Sequence, residues 1–123
     1  MTHQINWMEG LRTFLICPVR GHEMNETINY VEKLEADGWE VHWPPRDTDQ
    51  DDPTGYRICR DNYSAIYRSD IVHIVYDPTS QGSLFDLGVA FALKKPLVLL
   101  NEVEPTKGKS FASMIMEWVT KTK

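Results

Sequence analysis

The amino-acid sequence predicts an α/β fold, a three-layer sandwich built on a parallel sheet of four to five strands. Apolar runs occur at residues 13–19, 71–76 and 96–100, and each is too short for a helix. Segments with apolar residues at helical spacing lie between these runs, and short connections join them. Because strands that alternate with helices pair in parallel through right-handed crossovers, this order predicts helices on both faces of one sheet.

The first strand and helix occupy about residues 13–38. Pro18 ends the strand, since proline lacks the N–H group that a sheet needs. Gly38 stands where a glycine commonly ends a helix. Between them, apolar residues recur at helical spacing, at Met24, Ile28, Val31 and Leu34.

A second strand is predicted at residues 39–43, where Pro44 and Pro45 stop it. Residues 46–55 are almost entirely polar, and we expect a solvated loop there. An amphipathic helix follows, with one face formed by Tyr56, Cys59, Tyr63, Ile66 and Tyr67.

The third unit begins with residues 71–76, a β-branched run typical of a central strand covered on both faces. We predict a helix at about residues 83–95, a buried strand at 96–100 and a last helix at about 110–120. His42 and His73 lie within predicted strands, and we interpret both as core or edge residues rather than catalysts.

The composition of the chain argues against several classes of function. The 123 residues suit one domain spanning residues 1–123, with a net charge of −5 and no basic cluster, so nucleic-acid binding is disfavoured. No run of about 18 apolar residues or export signal occurs, so we expect no membrane span and a cytoplasmic location. Cys17 and Cys59 lie far apart, which argues against a disulfide framework or a zinc site.

Two loops that follow strands carry the candidate binding residues. Ligands of open parallel sheets bind beyond the carboxyl ends of the strands, beside helix N-termini. Ser80, Gly82 and Ser83 offer hydroxyl and backbone donors for a phosphate there, and Arg20 in the loop after the first strand could add a charge. Ordinary turn and capping chemistry explains the same residues equally well.

Asp86 has two competing interpretations. The run Ser83 to Asp86 fits a capping box, in which the acid only reaches back to a backbone N–H group. A carboxylate in the first helical turn is also kept ionised by the helix dipole and could act as a nucleophile. The alternating acids of residues 47–52 lack the glycine and glutamate of a calcium loop, so no metal site is predicted.

Residues 14–21, the pair Ser69 and Asp70, and residues 80–96 together resemble the nucleoside 2-deoxyribosyltransferase superfamily, over about residues 12–116. Ser80 stands where base-exchanging members usually carry aspartate, so the chain is most similar to the branch that hydrolyses nucleoside 5′-monophosphates. The resemblance implies a flavodoxin-like fold and a homodimer with shared active sites. It implies no metal or redox cofactor.

The resemblance also implies roles for individual residues. Asp86 takes the place of the family's nucleophilic glutamate, one methylene shorter. The second acid corresponds to Asn62 by ungapped counting or to its neighbour Asp61. Phe14 is expected near the sugar and Arg20 near the base or phosphate.

The remaining expected substrate contacts follow from the same motifs. They are Cys17, Gly21, Ser80, Gly82 and Ser83, with Ser110 or Ser113 reaching the phosphate bound by the neighbouring subunit. The implied reaction is hydrolysis of the N-glycosidic bond of a nucleoside 5′-monophosphate. Base exchange between nucleosides and nucleotide binding without catalysis are the alternatives.

Overall fold

In the computed structural model, which describes residues 10–19 and 23–122, four parallel strands form one sheet in the order β2-β1-β3-β4. This arrangement confirms the predicted flavodoxin-like α/β fold. No helix in those two ranges is long and apolar enough to cross a membrane. The elements in chain order are β1 (Arg12–Ile16), α1 (Glu23–Ala36), β2 (Glu40–His42), α2 (Pro44–Asp47), α3 (Tyr56–Tyr67), β3 (Ile71–Ile74), α4 (Gln81–Ala92), β4 (Leu97–Leu99) and α5 (Phe111–Lys121).

The register of the sheet brings the ends of β1 and β3 together. Phe14 pairs with His42 of β2 on one side and with Val72 of β3 on the other. Ile16 pairs with Ile74, so both strands finish at the same level. The segments that follow them therefore lie side by side at the carboxyl edge of the sheet.

Two apolar cores separate the three layers. One packs β1 and β2 against α1, through residues such as Leu15, Val31 and Val41. The other packs β1, β3 and β4 against α3, α4 and α5, through residues such as Ile66 and Leu87. Alternate strand residues point to opposite faces, which is why consecutive apolar residues can fill both cores.

The strands are shorter than the apolar runs that predict them. β1 ends at Ile16 rather than at residue 19, and β3 ends at Ile74 rather than at residue 76. Cys17 and Val75, which follow the two strand ends, remain buried, whereas Val19 is exposed. Burial of Cys17 and Val75, rather than membership of the sheet, accounts for their apolar character.

The prediction of a solvated loop at residues 46–55 is partly wrong. Its first two residues belong to α2, and the Thr48 side chain is buried. The Asp52 carboxylate accepts hydrogen bonds from the backbone N–H groups of Thr54 and Ile58 and so holds the start of α3. Local hydrogen bonds replace the missing apolar residues and fold the segment against α3.

The two strand histidines are in different surroundings. His73 is buried in the sheet, its Nδ1 lies 2.6 Å from the hydroxyl of Thr13, and burial lowers its pKa to about 4. This is the core position that the sequence predicts. His42 lies on the edge strand and stacks on Phe14.

Candidate functional site

A cavity of about 530 Å³ lies at the carboxyl edge of the sheet, where β1 and β3 end. Its volume is typical of a site for a small-molecule ligand. It is bounded by the segments after β1 and β3, by α3 and by the start of α4. Its lining residues are Cys17, Pro18, Val19, Gln50, Ile58, Cys59, Asn62, Asp77, Thr79, Ser80, Gln81, Gly82, Ser83, Phe85 and Asp86.

Asp86 is a buried acid in the wall of this cavity. Only 7% of the residue is exposed, and burial raises the pKa of its carboxyl from 3.8 to about 7. The amide of Asn62 donates to Oδ2 at 3.5 Å, which acts in the opposite direction without overcoming the loss of water. The carboxyl therefore changes its charge near neutral pH.

The capping-box interpretation of Asp86 is wrong. Helix α4 begins at Gln81, and its N-cap is Ser80, whose hydroxyl oxygen accepts a hydrogen bond from the backbone N–H group of Ser83. Asp86 consequently lies in the second turn, facing α3. The expectation that the helix dipole keeps Asp86 ionised also fails, because the dipole acts within the first turn and burial has the larger effect.

Of the two candidates for the second acid, the structure brings Asn62 into the cavity. Asn62 is buried and contacts Asp86. Asp61 lies outside the cavity, where its carboxylate accepts a hydrogen bond of 2.7 Å from Arg57. Adjacent helical residues point about 100° apart, so only one of the pair can face α4.

The start of α4 forms one end of the cavity, as the sequence predicts for Ser80, Gly82 and Ser83. The Ser80 hydroxyl accepts from the Ser83 backbone and donates to the Ser83 hydroxyl at 2.9 Å. A Cβ atom added at Gly82 would meet nothing within 4 Å. The capping interpretation and the binding interpretation are therefore compatible, since the first N–H groups of a helix have no partner within it.

Neither cysteine of the cavity is suited to act as a nucleophile. Burial raises the pKa of the Cys17 thiol to about 12, and it also raises the pKa of Cys59. Both side chains remain neutral thiols at physiological pH. Within residues 10–19 and 23–122, no three His, Cys, Asp or Glu side chains are grouped as metal ligands.

Of the expected substrate contacts in the first motif, Cys17 lines the cavity and Phe14 does not. Phe14 is fully buried beneath it, in the core, with its ring stacked on His42 at 5.3 Å between centroids. Phe14 lies in the middle of a central strand, which is why its side chain packs in the core. Arg20 and Gly21, together with His22, lie outside the described residues.

Ser110 and Ser113 lie away from Asp86, at the start of α5. The Ser110 hydroxyl oxygen accepts from the Ser113 backbone N–H group at 3.0 Å and caps the helix. Both serines line a separate cavity of about 500 Å³ beside Phe91 and Trp118. Neither serine contributes to the cavity of its own subunit.

Nine residues that line the cavity are not among the site residues predicted from sequence: Pro18, Val19, Gln50, Ile58, Cys59, Asp77, Thr79, Gln81 and Phe85. Ile58 and Asn62 are four residues apart on α3 and so share a helix face. That spacing is a signal that could have identified Ile58 once Asn62 was chosen. Gln50 carries no such signal, because the fold of its own segment brings it to the cavity.

Comparisons with known proteins agree with this fold. The model of the family described as nucleoside 2-deoxyribosyltransferase matches residues 14–116. The solved structure of Clostridium botulinum CMP N-glycosidase, BcmB, is similar, with a TM-score of 0.59 and 21% sequence identity over 90% of this chain and 81% of that one. No curated protein matches the sequence. Because the family model covers most of the sequence and the fold agrees with it, the chain belongs to the nucleoside 2-deoxyribosyltransferase family.

Proposed function

We propose that this protein hydrolyses the N-glycosidic bond of a nucleoside 5′-monophosphate, releasing the free base and a sugar phosphate. The observation that carries the proposal is Asp86, a buried carboxyl in the wall of a cavity whose other end is the start of α4. Family membership and the similarity to a CMP N-glycosidase support the reaction class. The cavity therefore combines a candidate nucleophile with a candidate phosphate site.

Asp86 supplies the chemistry in this proposal. As a carboxylate it attacks the anomeric carbon while the bond to the base breaks, and the base leaves with the bonding electrons and takes a proton from water. Water then hydrolyses the glycosyl-enzyme ester, which releases the sugar phosphate and restores the carboxyl group. Asn62 has no carboxyl proton to give, and its amide instead donates a hydrogen bond to Asp86. Asp61 lies outside the cavity, so we assign it no part in the reaction.

The start of α4 holds the phosphate in this proposal. Backbone N–H groups at a helix N-terminus and the positive end of its dipole favour a bound anion. Ser80 adds a hydroxyl, and Gly82 leaves the approach open because it has no side chain. Ser83 is almost fully buried, so its part is to hold Ser80 by their hydrogen bond.

We further propose one domain over residues 1–123 that acts in the cytoplasm. The family match extends from residue 14 to residue 116, and both cores are shared by elements from that whole range. Cys17 and Cys59 are free thiols, which fits a reducing compartment.

A homodimer is part of the same proposal. Tyr56, Tyr63 and Tyr67 are exposed at spacings that place them along one face of α3, and Phe85 is exposed on the adjacent α4. Phe85 also lines the cavity, so this aromatic face is continuous with the candidate site. A second copy covering the face would lie close enough to complete the site.

Changing Tyr63 to Arg is expected to convert the dimer to a monomer, because the charge would lose water at the centre of the aromatic face. Light scattering after gel filtration measures the mass directly. Ile28→Arg is the matched control, since Ile28 is exposed on α1 at the opposite side of the sheet. A monomeric wild-type protein, or a Tyr63→Arg protein that remains dimeric, would contradict the interface.

The reaction is tested with a panel of ribonucleoside and deoxyribonucleoside monophosphates, each with and without an added acceptor base. Chromatography is expected to show free base, released at a rate that rises with pH and levels off above about 7, since Asp86 must be ionised to attack. A new nucleoside formed only with the acceptor would indicate a transferase. Binding without any release would indicate a binding module.

A further inference from the structure

A series of hydrogen-bonded side chains, His42, Thr48 and Asn62, links the edge strand β2 to Asp86. His42 Nε2 lies 2.7 Å from the hydroxyl of Thr48, which donates to Asn62 Oδ1 at 2.7 Å. The amide Nδ2 of Asn62 then donates to Asp86 at 3.5 Å. Thr48, Asn62 and Asp86 are all buried, with 4%, 6% and 7% of each residue exposed, so protein partners rather than bulk water satisfy these groups.

Donation along this series of hydrogen bonds runs in one direction, from His42 to Asp86. A hydroxyl carries one hydrogen, and Thr48 gives it to Asn62, so Thr48 can only accept from His42. This direction requires a hydrogen on Nε2 of His42. Because Oδ1 of Asn62 is already occupied by Thr48, the amide N–H group is the one that faces Asp86.

The opposite direction suits a different state of Asp86. If His42 accepted from Thr48, the amide of Asn62 would have to turn and present its oxygen to Asp86. Two acceptors repel each other unless the carboxyl carries a proton. The direction from His42 to Asp86 therefore favours the carboxylate, the form that attack on carbon requires.

We propose that His42 and Thr48 are positioning residues, which orient the Asn62 amide so that its N–H group holds Asp86 as a carboxylate in the cavity. The orientation of the Asn62 amide is a property of the protein without substrate. The effect of that orientation on turnover rests on the proposed function. Neither residue lines the cavity, so both act through Asn62.

The residues around His42 keep its ring in place and neutral. His42 is stacked on Phe14 with an angle of 10° between the rings, and burial lowers its pKa, so the neutral ring persists at neutral pH. The charged groups that act on His42 are Asp47, Asp61, Arg46 and Arg68, two of each sign. Asp86 is faced by the thiols of Cys17 and Cys59, which are uncharged at that pH.

The test compares Thr48→Val, which keeps the shape and removes the hydroxyl, with Thr48→Ser, which keeps the hydroxyl. The carboxyl carbon of Asp86 is titrated by NMR without substrate. In Thr48→Val the midpoint is expected to rise by about half a unit to one unit, since a hydrogen bond that favours the carboxylate is no longer enforced. Thr48→Ser is expected to restore the wild-type midpoint.

The tautomer of His42 is read in the wild-type protein from the ¹⁵N and ¹³C shifts of its ring, which does not depend on any variant folding. Hydrogen on Nε2 is the expected result. Two results would overturn the proposal. One is a hydrogen on Nδ1 of His42 alone, and the other is an unchanged Asp86 midpoint in a folded Thr48→Val protein.

Turnover provides the third measurement. At pH 7 the kcat of Thr48→Val on the monophosphate cleaved fastest in the panel is expected to fall about twofold to fivefold with KM unchanged, and Thr48→Ser to recover it. The pH of half-maximal kcat/KM, which reports the free enzyme, should move by the same amount as the NMR midpoint. If the wild type and both variants show no turnover while the NMR shifts are as expected, the proposed function is refuted. The positioning role of His42 and Thr48 is then still supported.

Discussion

Asp86→Asn is expected to abolish base release, by about a thousandfold or more, while the protein stays folded and still binds nucleotide. The amide has nearly the same shape as the carboxyl and cannot attack the anomeric carbon. Its oxygen can still accept the hydrogen bond from Asn62. Chromatographic detection of free base, together with calorimetric titration of the same monophosphate, separates loss of turnover from loss of binding.

The same variant is expected to be more stable than the wild type at alkaline pH. In the folded state the pKa of Asp86 is raised from 3.8 to about 7, so the folded protein keeps a proton that the unfolded chain has released. Stability therefore falls as pH rises from about 4 to 7, and the full cost, on the order of 4 kcal/mol, is present above that range. Asparagine does not ionise and avoids the cost, so the gain should appear at pH 8 and vanish near pH 4.

Urea unfolding at both pH values measures this difference. Asp61→Asn is the matched control, the same chemical change one residue from Asn62. It removes a half-exposed ion pair with Arg57, and we expect less than about 1 kcal/mol of lost stability and unchanged turnover. Undiminished turnover by Asp86→Asn would exclude the nucleophile. A destabilised Asp86→Asn protein at pH 8 would show that folding favours the carboxylate.

Phe14→Ala is expected to lower the free energy of unfolding by about 3 to 5 kcal/mol. Phe14 is fully buried on the central strand β1 and is stacked on His42. Removing the ring leaves a void among side chains of β1 and β3 that cannot close, because the strands on both sides hold the backbone. Urea unfolding at one pH measures the loss.

Phe14→Leu distinguishes a core role from a sugar contact. We expect a stability loss of about 1.5 kcal/mol or less, since most of the volume is kept, and an unchanged KM for the nucleotide. A KM that rises several-fold in a stable Phe14→Leu protein would instead support the contact with the sugar that the family resemblance implies.

The order of the elements and the place of the cavity were predictable from sequence. Apolar runs such as residues 71–76 and helical spacings are local features, and parallel pairing follows from their alternation. Parallel strands present their carboxyl ends at one edge, so the loops with Ser80 and Cys17 had to meet there.

Element boundaries depended on hydrogen bonds that the pattern does not reveal. Both Ser80 and Ser83 are good N-cap residues, and the sequence favours Ser83 because an acid follows it three residues later. The helix begins earlier because Ser80 accepts the Ser83 N–H group. That shift moved Asp86 out of the first turn and changed its expected charge state.

The sequence by itself determined the α/β class, the family motifs and the identity of the acid in the second motif. Only the tertiary structure decided that Asn62 rather than Asp61 faces Asp86, and that His42 and Thr48 are linked to them. The physical reason is that backbone preferences and apolar periodicity act over a few residues. Loss of water and hydrogen bonding around a buried group depend instead on atoms from segments far apart in the chain.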